Sequence, residues 1–139
     1  MAKRKEADKA INPGDLPGLS EGQLEIMHVV WDKREVTVSE VWEALAARRE
    51  VARNTVLTLM DRLEKKGWLS RRADGQTHRY SAAVSRQSTL GDVVHRLVES
   101  AFAGSADSLM LALLEGRGVS DDEAARIRAM IDKAKKKTT

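Results

Sequence analysis

The sequence predicts a mainly α-helical chain in which three helices and a β-hairpin are followed by a second, wholly helical region. Three observations carry that expectation. Capping-box patterns open apolar-periodic runs at Ser20 and Thr37, a strand-turn-strand texture follows Gly67, and apolar residues return to three- and four-residue spacing beyond Ala83.

Residues 1–19 hold four Lys/Arg, an Asn12-Pro13-Gly14 turn and Pro17-Gly18 with little apolar content, and read as a disordered tail. Ser20-Glu21-Gly22-Gln23 is a capping box, with Leu19 and Leu24 placed as a hydrophobic staple. A first helix should run to about Lys33 and bury Leu24, Ile26, Met27, Val30 and Trp31. Thr37, with Glu40 three residues on, opens a second helix carrying Val38, Val41, Trp42 and Leu45 and ending near Arg48. The third helix, Arg53 to Lys66, sets Val56, Leu59, Met60 and Leu63 against Asn54, Thr55, Thr58, Asp61, Arg62 and Lys65, and Gly67 stops it. Two short strands around Asp74-Gly75 then make a hairpin. Helix, helix, amphipathic helix and basic hairpin is the order of a winged helix-turn-helix, assigned here to residues 20–82.

From residue 83 to 134 the chain reads as a helical dimerisation domain, followed by a basic tail over 135–139. Its candidate interface residues are Leu90, Val93, Val94, Leu97, Val98, Phe102, Leu109, Leu113, Ile127, Met130 and Ile131. They supply more apolar surface than about 50 residues of helix can hide within themselves, which calls for a second copy. Gly104-Ser105 and Gly116 to Gly118 punctuate the region, and Ser120-Asp121-Asp122-Glu123 is a third capping box.

Composition narrows the chemistry. A 139-residue chain with 42% hydrophobic, 32% charged and 4% aromatic residues fits one compact aliphatic core plus an accessory piece. The absence of cysteine excludes disulfides, thiolate metal sites and cysteine catalysis. His28, His78 and His95 are scattered without an i, i+4 pair, so no metal is expected, and no cofactor or catalytic motif is present. The chain is therefore not expected to be an enzyme. No apolar run approaches the roughly 18 residues of a membrane span, and the N-terminus lacks a signal-peptide core, so the expectation is a cytoplasmic protein without membrane insertion.

The net charge of +3 is unevenly spread. Residues 20–44 carry two Lys/Arg against six Asp/Glu, whereas residues 45–82 carry nine against four. A localised basic excess is the footprint of a polyanion partner, double-stranded DNA above all. In the third helix Asn54, Thr58 and Arg62 stack in one row with Thr55 beside them, and these four are the candidate base readers. Arg48, Arg49 and Arg53 flank the helix start, and Arg71, Arg72, Gln76, His78 and Arg79 lie in the wing. These eight are candidate phosphate contacts. A winged helix that binds only another protein is the alternative, but it has no need of so many arginines around one helix.

These residues resemble the penicillinase repressors of the BlaI/MecI family and the related CopY copper repressors. The similarity rests on Leu19-Ser20, Leu24-Glu25-Ile26-Met27, Val30-Trp31, Val36-Thr37-Val38, Glu40-Val41 and Leu45. It continues through Asn54-Thr55-Val56, Thr58, Arg62-Leu63, Lys65-Lys66-Gly67 and His78-Arg79-Tyr80. The resemblance implies a homodimeric transcriptional repressor on a palindromic operator with TACA/TGTA-type half-sites. In the penicillinase branch it further implies release when a membrane sensor metalloprotease triggers cleavage in the C-terminal region, where Ser100-Ala101-Phe102 lies. The copper branch's cysteine cluster has no counterpart in this chain.

Overall fold

The computed structural model describes residues 11–138, which divide into two compact units between Val93 and Val94. In the first unit, α1 (Glu21–Lys33), α2 (Val38–Ala46) and α3 (Arg53–Lys66) pack with a three-stranded antiparallel sheet of β1 (Glu35–Val36), β2 (Leu69–Asp74) and β3 (Thr77–Ala82). The fold is a winged helix.

Local chemistry starts and stops these elements. Ser20 Oγ accepts the Gln23 N–H at 3.2 Å while Gln23 Oε1 accepts the Ser20 N–H at 3.0 Å. Thr37 and Glu40 exchange the same pair of bonds at 3.1 and 2.8 Å, so both expected capping boxes form. Gly67 closes α3 at φ +95°, a left-handed conformation that costs a side-chain-bearing residue energy. The wing turns through Gly75-Gln76, with Gly75 at φ +65° in the first central position of a two-residue loop.

Apolar residues at helical spacing converge on one core. It contains Ile26, Met27 and Val30 from α1, Val38, Val41 and Leu45 from α2, and Val56, Met60 and Leu63 from α3, closed by Val36, Trp68, Leu69, Tyr80 and Val84. Leu59, expected inside, is only half-buried. Trp68 is the buried tryptophan, whereas Trp31, placed in the core by its spacing, is half-buried. Each indole N–H finds a carbonyl: Trp31 that of Val84 at 2.9 Å, Trp42 that of Val51 at 2.9 Å, and Trp68 that of Pro17 at 2.8 Å.

Further features differ from the sequence expectation. The sequence does not predict β1; it pairs Val36 with Tyr80 of β3, so β3 becomes the central strand of a three-stranded sheet with β1 and β2 at its edges. The expected tail is also ordered where it is described. Pro13 to Asp15 form a 3₁₀ turn, Pro13 is buried, and Leu16 and Leu19 pack on the core. Backbone carbonyls hold this segment: that of Pro17 accepts from Trp68, and that of Gly18 from Lys66 Nζ at 3.1 Å. Residues 1–10 of the expected tail lie outside the described residues.

The helix α4 (Arg86–Ala101) contains the boundary between the units, so the division falls about ten residues beyond the expected one at residue 82. The second unit comprises the rest of α4 with α5 (Ala106–Gly116) and α6 (Asp121–Thr138), which runs on through most of the expected basic tail. Ser105 Oγ caps α5 through the Ser108 N–H at 3.1 Å. Ser120 Oγ accepts the Glu123 N–H at 3.1 Å, while the Glu123 carboxylate turns to Arg117 at 3.5 Å. Between residues 94 and 135 no described residue is fully buried.

Candidate nucleic-acid interface

Burying Val56, Met60 and Leu63 turns the opposite side of α3 outward. Asn54, Thr55, Thr58 and Arg62 all reach solvent there and, with Leu59, line a shallow groove of about 300 Å³. None of these four polar side chains has a hydrogen-bond or ion-pair partner among the described residues. The helix start is also open, because Ala52 at the N-cap offers no side-chain acceptor. Backbone N–H groups at such an end favour an anion. At the other end Lys66 is committed, donating to Gly18 O and to Gln23 Oε1 at 3.0 Å, so it ties α3 to the start of α1.

A second groove, of about 420 Å³, lies between the wing and the starts of α2 and α3, and is lined by Ser39, Arg53, Leu57, Gln76, His78 and Tyr80 among others. Arg53 donates to Ser39 Oγ at 3.1 and 3.3 Å. A hydroxyl holds the guanidinium without cancelling its charge.

Strand alternation sorts the wing residues. Arg71 is paired with Tyr80 and Ala73 with His78, so Arg71 and His78 share the face whose inner end is the core residue Tyr80. Arg72 is paired with Arg79 and Asp74 with Thr77 on the opposite face, which Glu35 joins from β1 through its pairing with Ser81. On that face Arg72 makes a bidentate pair with Glu35 at 2.7 and 2.9 Å. Arg79 pairs with Asp74 at 2.7 Å and has Glu40 at 3.8 Å. Hydrogen bonds from these arginines hold the Glu35 and Asp74 carboxyls below the ordinary carboxylate range and raise the guanidinium pKa values in return.

Arg49 behaves like Arg72. It pairs with Glu25 at 2.7 and 3.3 Å and lowers that carboxyl's pKa, whereas Arg48 beside it makes no direct bond among the described residues. In sequence alone the eight phosphate candidates are alike. The structure separates Arg48, Arg53, Arg71, Gln76 and His78 from the carboxylate-bound Arg49, Arg72 and Arg79. It also brings to the interface residues that the sequence did not place there: the carboxylates Glu25, Glu35, Glu40 and Asp74, the Ser39 hydroxyl, and Leu57 and Leu59 at the groove walls. Among the described residues no group of three or more His, Cys, Asp or Glu side chains could hold a metal, and no single helix is long and apolar enough to cross a membrane.

Of the residues expected at a dimer interface, Val93, Val94, Leu97, Leu113, Met130 and Ile131 are exposed, Met130 by 64%. Leu90, Val98, Phe102, Leu109 and Ile127 are half-buried. Leu111, 58% exposed, and Leu114 extend the apolar surface beyond the expected set.

The family described as penicillinase repressor matches residues 19–133. The methicillin resistance regulatory protein MecI of Mammaliicoccus sciuri is 25% identical over 115 residues, covering 83% of this chain and 94% of its own length. The transcriptional regulator BlaI of Mycobacterium tuberculosis is 34% identical over 109 residues, covering 76% and 79%. Among solved structures, MarR of E. coli in its apo form aligns with a TM-score of 0.50 at 18% identity over 94% of this chain and 89% of that one, a likeness of fold.

Proposed function

The chain belongs to the penicillinase repressor family, and from that premise we propose that it is a DNA-binding transcriptional repressor that reads a palindromic operator as a homodimer. The observation that carries this reading is the outward row of α3. Asn54, Thr55, Thr58 and Arg62 are exposed, gathered on one groove and free of internal partners, as a surface reserved for base edges requires. Asparagine suits adenine, arginine suits guanine, and a threonine methyl suits thymine. Arg48, Arg53, Arg71, Gln76 and His78 surround this row as phosphate contacts that set register.

The apolar surface of residues 94–135, without a fully buried residue of its own, supports pairing with a second copy. Two modest half-site contacts linked in this way reach an affinity that one does not. Derepression follows cleavage in the C-terminal region through a membrane sensor protease, and the whole cycle runs in the cytoplasm. Support for the cleavage step is the resemblance together with the exposed end of α4, where Ala103 and Gly104 leave helical geometry at φ +50° and +83°.

Fluorescence anisotropy on a duplex enriched by the protein from a random pool, against a scrambled duplex, tests the DNA reading. Arg62→Ala should cost about 1–3 kcal/mol on the enriched duplex and little on the scrambled one. Equal weakening on both makes Arg62 a phosphate contact. If wild-type protein binds neither duplex at low salt, the alternative holds: a winged helix that binds protein.

A further inference from the structure

The two faces of the wing carry opposite balances of charge. On the face shared with Tyr80, Arg71 is a full uncompensated charge, His78 stands beside it, and Arg53 across the groove is held by a neutral hydroxyl. On the other face the two guanidinium groups of Arg72 and Arg79 meet the three carboxylates of Glu35, Asp74 and Glu40, a local sum of −1.

Counterion release counts phosphates neutralised, and a guanidinium that carries its own carboxylate to the DNA neutralises none. Moving Arg72 onto a phosphate would leave Glu35 unpaired beside a polyanion. The geometry points to a one-sided wing: Arg71 and His78 dock on phosphate, while Glu35, with Asp74 and Glu40, is a positioning residue that withholds Arg72 and Arg79. This inference deepens the repressor reading and rests on it.

It explains why so many arginines coexist with a modest net charge. The acidic first third of the chain supplies Glu35 and Glu40 to one side of the wing. A wing neutralised on both faces would have no preferred side, and one basic on both would bind DNA in either orientation.

The slope of log K against log salt reads this directly. On the enriched duplex, across about 50–200 mM salt, Arg71→Ala should flatten the slope by about 0.9 and Arg71→Lys should leave it unchanged. Arg72→Ala should change it by less than about 0.3 in the wild-type background. Glu35→Gln, an isosteric change at an exposed site, should steepen the slope by freeing Arg72, and adding Arg72→Ala should then reverse that gain. Equal flattening by Arg71→Ala and Arg72→Ala, or an unchanged slope in Glu35→Gln, overturns the one-sided wing while leaving DNA binding intact. A wild-type protein with no salt-dependent binding overturns the repressor reading as well.

Discussion

The two units of this chain use apolar residues in opposite ways. Residues 11–93 bury fourteen hydrophobic side chains in one core, and apart from Ile11, Leu57 and Val93 no large hydrophobic side chain is exposed there, where polar residues and paired or unpaired arginines dominate the surface. Residues 94–138 have comparable aliphatic content, but Leu97, Leu111, Leu114, Met130 and Ile131 face outward. The first unit satisfies most of its hydrophobic requirement within its own core and presents a mainly polar and charged surface. The second leaves apolar area in contact with water, each 100 Å² of which costs about 2.5 kcal/mol relative to burial, and so favours association.

Equivalent truncations in the two units should therefore differ in kind. Leu63→Ala, in the centre of the first core, should lower the unfolding free energy by about 2–5 kcal/mol in denaturant titrations, independent of protein concentration. Leu111→Ala should leave that transition in place and weaken only a concentration-dependent one. If both losses are equal and insensitive to concentration, the contrast between the units is wrong. A smaller effect is expected at Gly67. There an added Cβ meets Leu16 Cδ2 at 3.2 Å at a left-handed φ, so Gly67→Ala should cost roughly 1 kcal/mol in the same titration. A neutral outcome would contradict both the left-handed strain at Gly67 and the close packing of Leu16 against it.

How legible these features were depends on how local their causes are. The starts of α1 and α2 and the end of α3 were readable because each rests on residues within a few positions: Ser20 with Gln23, Thr37 with Glu40, and Gly67 itself. The outward row of α3 followed from the 3.6-residue period that buries Val56, Met60 and Leu63. β1 has only two residues and no alternation, and it exists because β3, some 45 residues later, supplies hydrogen-bond partners. The strap at residues 11–19 is held by the Pro17 and Gly18 carbonyls, backbone groups that every residue carries. The sorting of the arginines was equally hidden. Arg72 and Glu35 are 37 positions apart, and only sheet register puts them on one face. Composition counted the charges correctly but could not show which were already matched.

Sedimentation equilibrium on the full chain and on Leu97→Glu, alone and with the enriched palindromic duplex and its single half-site, tests the division of labour most directly. Wild-type protein should be a dimer that places two chains on one palindrome. Leu97→Glu should sediment as a folded monomer that still binds the half-site as wild type does, but loses about tenfold or more on the palindrome. A wild-type monomer at concentrations that saturate the palindrome, or a Leu97→Glu variant that remains a dimer with unchanged operator affinity, would contradict the account.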